Sequence, residues 1–207
     1  MTTTTLPRVT DRAAFQADLE RLLHHGNAPL AVALTDLDDF AAINDTQGRD
    51  AGDAVLMAWD RVLRANIPRD GSVARLGGDE FVVVLPGSSA ENAVVLLEEL
   101  RRHLTGMAVE GVAEAVSASV GVAANPPHGT TAEELCRAAG EALMRAKRDG
   151  RDRVAMYVEE KMVLKSNYYS KANLERLSKL SSATDRTEAS LLREALDDLL
   201  DKHKDAL

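Results

Sequence analysis

Ser72-Val73-Ala74-Arg75-Leu76-Gly77-Gly78-Asp79-Glu80-Phe81-Val82-Val83-Val84-Leu85 is the stretch on which the fold turns. Residues 72–76 and 81–85 are short strand-like runs, and the two glycines between them predict a hairpin. Glycines at its tip let the backbone approach a bulky ligand, and two adjacent carboxylates there invite a divalent cation.

Working outward, the pattern alternates helix and strand. Residues 11–24 carry Phe15, Leu19, Leu22 and Leu23 at helical spacing, and 29–35 is a short apolar run read as a buried strand. Residues 40–44 follow, then a longer helical pattern through Ala54, Val55, Met57, Ala58, Val62 and Leu63. Beyond the hairpin, Ser88 with Glu91 predicts a capping box for a helix running to about residue 104. Residues 116–123 read as a strand ended by Asn125-Pro126-Pro127, and Thr131 with Glu134 caps a helix that closes near Gly150. Residues 153–158 form a last short strand. Intermingled helices and strands with a central hairpin predict one α/β (α+β) domain with a mixed sheet.

Composition narrows the classes. The chain has 207 residues, 45% hydrophobic but only 3% aromatic, which argues against a sugar-binding groove or a stacking platform for single strands. One cysteine, Cys136, excludes an intrachain disulfide and most zinc sites. No apolar run approaches a membrane span, and the first ten residues lack a signal-peptide pattern, so the expectation is a cytoplasmic protein without membrane partners. The net charge of −8 opposes wholesale attraction to nucleic acid, yet residues 161–180 hold five Lys and Arg against one acid, Glu175.

A further carboxylate could meet the same ion from Asp36-Leu37-Asp38, which ends the first predicted strand. Hard oxygen donors from two turns, with room for phosphates, suit magnesium bound to a nucleoside triphosphate; an acidic surface turn is the competing reading. Leu76 to Phe81 resembles the signature of GGDEF-domain diguanylate cyclases, which join two GTP molecules into cyclic di-GMP. The resemblance extends through three more ordered motifs. Asp36-Leu37-Asp38-Asp39-Phe40-Ala41-Ala42-Ile43-Asn44-Asp45 is similar to the family's "D-[IL]-D-x-F-[KR]-x-I-N-D", and Gly48-Arg49-Asp50-Ala51-Gly52-Asp53 to its "G-H-x-x-G-D". Residues 142–154 are similar to "A-L-Y-x-A-K-x-x-G-R-N-R-V". Together they cover roughly residues 10–158.

The resemblance implies a palm-like fold over residues 1–158 and a set of roles. Asp36, the Leu37 carbonyl, Asp79 and Glu80 would hold Mg2+, with Mn2+ as the substitute ion, and Asp36, Asp79 and Glu80 would carry catalysis. Glu80 would join the metal shell or help deprotonate the attacking ribose hydroxyl. Asn44 and Asp53 would read guanine, Gly77 and Gly78 would admit the nucleotide, and Lys147 and Arg151 would contact the triphosphate. For Lys147 and Arg151 the competing reading is a helix C-terminus carrying cations that suit its dipole. Ala41 stands where the family has a basic residue and Arg49 where it has histidine. Pro68-Arg69-Asp70-Gly71 occupies the window of the family's inhibitory R-x-x-D motif and lacks it.

Residues 159–207 are different in kind. A strand-like alternation over 161–169 precedes two helical segments, 172–183 and 188–202, with Thr187 placed to cap the second. The pattern Arg176-Leu177-Ser178-Lys179-Leu180 followed by Thr187-Glu188-Ala189-Ser190-Leu191-Leu192-Arg193-Glu194-Ala195-Leu196 resembles ribbon-helix-helix DNA-binding domains. That resemblance implies a dimer whose paired strands lie in the major groove of double-stranded DNA. Lys165, Asn167 and Tyr169 alternate as candidate base readers, with Ser166 and Tyr168 in the other register, and Thr187 would offer backbone N–H groups to a phosphate. A helical hairpin serving only dimerisation is the alternative. The leading expectation is a diguanylate cyclase coupled to a DNA-binding transcription regulator, acting on GTP as a homodimer or a dimer of dimers. The alternative is a catalytically inactive domain that senses GTP or cyclic di-GMP.

Overall fold

The computed structural model describes residues 10–25, 29–159, 169–184 and 187–204. Contacts divide the chain into two units, residues 1–160 and 161–207.

The first unit runs α1 (Arg12–His25), β1 (Leu30–Leu37), α2 (Phe40–Gln47), α3 (Arg49–Asn66), β2 (Ser72–Gly77), β3 (Glu80–Pro86), α4 (Ala90–Thr105), β4 (Ala118–Asn125), α5 (Ala132–Arg148) and β5 (Val154–Met156). The strands form one mixed sheet in the order β2-β3-β1-β4-β5. All pairs are antiparallel except β4 with β5. β1 lies at the centre and the β2–β3 hairpin at one side.

Both faces of the sheet are covered, which is why its strands read as continuous apolar runs rather than alternating ones. Ala31, Ala33, Phe81, Val83, Leu85, Val120 and Val122 face Val55, Trp59, Leu63, Leu97 and Leu104 of α3 and α4. Val32, Leu34, Val82 and Val84 face Phe15 and Leu19 of α1 and Leu135, Ala139 and Leu143 of α5. Trp59 is fully buried, and its indole N–H donates to Thr35 Oγ1 at 2.8 Å, so the polar edge of the largest core side chain is satisfied.

One close approach sets α5 against the sheet. A Cβ at Gly121 in β4 would lie 2.1 Å from Ala139 O and Leu143 N, so the α5 backbone rests directly on the strand. Ala138, Ala139, Ala142 and Ala146 make that approach possible because they keep the inward face of α5 thin.

The expected capping box at Thr131 is present, with both reciprocal bonds to Glu134. The one expected at Ser88 is displaced by a residue. Ser88 N–H bonds Leu85 O and finishes the turn after β3, while Ser89 caps α4 by accepting from Asn92 N–H. β4 begins at Ala118 rather than 116, and β5 is limited to three residues.

In the second unit, α6 (Lys171–Thr184) and α7 (Glu188–Lys202) occupy the segments expected to be helical. Ser170 Oγ accepts from Asn173 N–H at 3.2 Å and caps α6. The expected strand lies almost wholly outside the described residues. Leu191 is buried, whereas Leu174, Leu180, Leu196, Leu199 and Leu200 are exposed. No described helix is long and apolar enough to cross a membrane.

Candidate active site

The site gathers at the end of β1 and the tip of the β2–β3 hairpin. Antiparallel pairing sets Asp36 opposite Glu80, so the strand-end carboxylate and the hairpin carboxylates share one edge of the sheet. Gly77 and Gly78 form the tip with φ of 151° and 49°, a region that L side chains avoid, and no atom lies within 4 Å of where their Cβ atoms would be. The backbone there is open to a ligand. Arg75 closes the turn by donating Nε to Gly78 O at 2.8 Å.

Asp36 is half-buried, and Lys147 Nζ stands 2.7 Å from its Oδ1. The lysine arrives on the last turn of α5, whose packing on β1 and β4 fixes its position. Burial, and next the charge of Asp36, push the Asp79 carboxyl up from its ordinary value. A backbone hydrogen bond and Lys147 pull the other way without reversing the shift. Two carboxylates thus crowd together, and the local cation does not neutralise both.

Glu80 is engaged elsewhere. Its Oε2 accepts from Arg12 Nη2 at 2.6 Å, and Thr10 N–H donates to Arg75 O at 2.7 Å. Thr10 and the first residue of α1 therefore fasten the start of that helix to the hairpin at two points, a partnership that sequence reasoning did not find.

Asp38 also departs from the metal-facing alternative. It is 6% exposed and accepts from Ser117 Oγ at 2.8 Å, Ser119 Oγ at 2.7 Å and Asp152 N–H at 3.0 Å. Its lone pairs are committed to the protein. Among the described residues no group of three His, Cys, Asp or Glu side chains is arranged to hold a metal. The carboxylates that remain beside one another are those of Asp36 and Asp79. This fits Mg2+, which commonly takes one or two carboxylates and fills its other positions with water and substrate phosphates.

Asn44 and Asp53 sit on α2 and α3, on either side of the Gly48 break. Asn44 Nδ2 donates to Phe40 O at 3.1 Å, and a Cβ at Gly52 would lie 2.1 Å from Asn44 Oδ1. Gly52 thus leaves room for the Asn44 amide against α3, a role that the sequence reading missed although its motif contains the glycine. Arg151 follows α5 in a left-handed conformation, φ 61°, with Asp39 Oδ1 3.9 Å from its Nε. Of the candidate DNA-reading residues, Lys165 and Asn167 lie outside the described residues. Tyr169 is exposed just before α6, and the Thr187 carbonyl opens α7 by accepting from Leu191 N–H.

Residues 3–153 match the family profile described as "Diguanylate cyclase, GGDEF domain". The response regulator PleD of Caulobacter vibrioides is 37% identical over 134 residues, covering 62% of this chain and 29% of that protein. Diguanylate cyclase DgcP of Pseudomonas aeruginosa is 37% identical over 153 residues, covering 72% of this chain and 23% of the relative. The chain therefore spans under a third of the length of these curated relatives. Among solved structures, the GGDEF domain of DgcB from Caulobacter crescentus, in complex with c-di-GMP, superimposes with a TM-score of 0.67 at 29% identity, over 75% of this chain and 95% of that one. The active GGEEF domain of a diguanylate cyclase from Vibrio cholerae gives a TM-score of 0.69 at 28% identity, over 74% and 100%.

Proposed function

This chain belongs to the GGDEF family of diguanylate cyclase domains, and from that premise we propose that it condenses two GTP molecules into cyclic di-GMP with release of pyrophosphate. The observation that carries the proposal is the crowded pair Asp36 and Asp79 at an open glycine tip, with Lys147 alongside. Lys147 offsets only part of that negative charge, and the open tip leaves room for a phosphate chain.

Asp36, Asp79 and the Leu37 carbonyl would hold Mg2+, which when bound offsets the charge of the phosphates and polarises the oxygens attached to it. The protein's own work is placement. Asn44 and the Asp53 carboxylate read the guanine edge, the carboxylate accepting from N1–H and the amino group. Lys147 exchanges its contact with Asp36 for the triphosphate as the nucleotide arrives, and Arg151 supplies a second cation. The ribose 3′-oxygen of one GTP attacks the α-phosphorus of the other. Its proton passes to a base, the role read for Glu80 once it parts from Arg12, and the bond to pyrophosphate breaks.

Two active domains must face each other for two such attacks, which asks for a two-fold arrangement. We infer that residues 159–207 supply it as a ribbon-helix-helix dimer that also binds double-stranded DNA. Support comes from the basic 161–180 segment and from the exposed leucines of α6 and α7, which a 47-residue unit cannot bury alone. DNA occupancy and nucleotide occupancy would then be coupled, and reciprocally so.

A second reading has one specific observation in its favour. Glu80 is held by Arg12, so a domain that binds guanine nucleotide without turning it over is consistent with the same geometry. Chromatography separates the two. Wild-type protein with GTP and Mg2+ is expected to form cyclic di-GMP, and Asp79→Ala or Glu80→Ala to form none. GTP binding without product, with and without DNA, would select the sensor.

A further inference from the structure

The turn after α5 that presents Arg151 is held from both sides by groups that play no part in the nucleotide site as described. Arg151 and Asp152 are consecutive left-handed residues, φ 61° and 45°, a conformation in which only asparagine and aspartate sit comfortably among side-chain-bearing residues. Arg151 itself is therefore in a disfavoured state that its surroundings must maintain. Its N–H donates to Ala146 O at 3.0 Å and its carbonyl accepts from Arg153 Nε at 3.0 Å. The side chain makes no comparably firm contact; it is more than half exposed and approaches Asp39 only to 3.9 Å. What is fixed is the backbone that aims it.

Asp152 is the handle. Its N–H donates to Asp38 Oδ2 at 3.0 Å, and Ser117 and Ser119 hold that buried carboxylate in place. Its own carboxylate pairs with Arg101 of α4, a guanidinium with only 8% of the residue exposed. Glu98, one turn earlier, orients Arg101 through two bonds of 2.6 and 3.0 Å. Thr105 Oγ1 lies 3.4 Å from the same Asp152 oxygen. Burying a guanidinium and a carboxylate for the sake of one surface turn is costly unless the turn's shape matters.

We propose that Asp38 and Arg101 are positioning residues for nucleotide binding, clamping Asp152 at its backbone and side-chain ends so that Arg151 is preset to meet the triphosphate. This rests on the reading of Arg151 as a phosphate contact. A turn set in advance spares the ordering cost that GTP would otherwise have to meet. Asp38 lies two residues beyond Asp36, so one strand end serves the metal side of the site with one carboxylate and the phosphate side with the next.

The test is a double-mutant cycle on the full chain. Its probe is the α,β-methylene analogue of GTP, whose carbon bridge prevents loss of pyrophosphate. Arg101→Met and Asp38→Asn are each expected to weaken binding about tenfold, the scale of removing a supporting partner from a ligating group. Arg151→Ala should weaken it at least as much, and adding Arg101→Met to Arg151→Ala should cost nothing more. Folded single variants that bind like wild type while Arg151→Ala loses affinity would overturn the clamp. So would full additivity in the double variant. An Arg151→Ala protein that binds normally would remove the phosphate reading and the clamp with it. Glu98→Gln, at a partly exposed carboxylate, loosens Arg101 while leaving that guanidinium its pairing with Asp152. It carries the test, with a smaller expected loss, if the other variants do not fold.

Discussion

An alanine at position 52 would place its Cβ 2.1 Å from Asn44 Oδ1 and 2.9 Å from Asn44 Cγ. Ordinary contact between such atoms requires roughly 3.2 Å, so the amide must retreat by about 1 Å, a move open to a side-chain end but not to packed backbone. The retreat breaks the 3.1 Å bond from Nδ2 to Phe40 O, a net loss of about 1 kcal/mol. Against it stands the gain of about 0.5–1 kcal/mol from replacing glycine inside a helix. The two nearly cancel, so thermal melting of Gly52→Ala is expected to fall close to the wild type. Nucleotide recognition has no such offset. Losing one hydrogen bond to guanine is worth about 0.5–1.5 kcal/mol, or roughly two- to twelvefold in the KM for GTP. The assay is a melt beside steady-state cyclic di-GMP formation over a range of GTP. A folded variant with unchanged KM would refute the role given to Asn44. A melt lowered by many degrees would show instead that α2 and not the amide had to move.

Asp79→Asn tests the crowded carboxylates. A carboxyl whose folded pKa is raised contributes stability that is present below the ordinary aspartate value of 3.8 and is lost as pH rises through the folded value. The asparagine variant should therefore melt above wild type at neutral pH, with the gap closing on acidification, and should make no cyclic di-GMP; equal melts at pH 7 would show that Lys147 and the backbone bond offset the crowding fully. Lys147→Met removes the 2.7 Å contact to Asp36 and a phosphate cation, and should weaken binding of the α,β-methylene analogue of GTP at least about tenfold, with isothermal titration as the check. Gly121→Ala drives a Cβ into helix backbone that cannot swing aside, so a loss of about 3 kcal/mol or more is expected in urea unfolding. A wild-type midpoint would mean that α5 sits less closely than described.

The elements were legible where local chemistry alone decides them. The glycine pair announced the hairpin, and Thr131 with Glu134 announced the start of α5, because both signals are complete within four residues. The Ser88 cap failed for a reason equally local. Two consecutive serines competed, and the turn after β3 took the first. β1 runs past the apolar 29–35 stretch to Leu37, within the Asp36-Leu37-Asp38 end expected for it, because pairing to Glu80 carries Asp36 into the sheet despite its charge. The ion pairs between Arg12 and Glu80 and between Arg101 and Asp152 join residues 68 and 51 positions apart, and no periodicity encodes such partners. The different surroundings of Asp36 and Asp38 were hidden for the same reason, since Lys147 stands against the first while Ser117, Ser119 and the Asp152 N–H hold the second, all distant in sequence.

The contact of Gly121 with the α5 backbone has a consequence for how this sequence can change. It fixes the helix in both depth and rotation, and Lys147 lies downstream on the same rigid rod, with the turn bearing Arg151 leaving from its end. One residue inserted between Gly140 and Lys147 would swing everything after it by about 100° and advance it by about 1.5 Å. Lys147 would then leave Asp36 even though every side chain of the site was intact. The α5 segment behaves as a ruler read in residue number, on which a single insertion or deletion is more damaging than most substitutions.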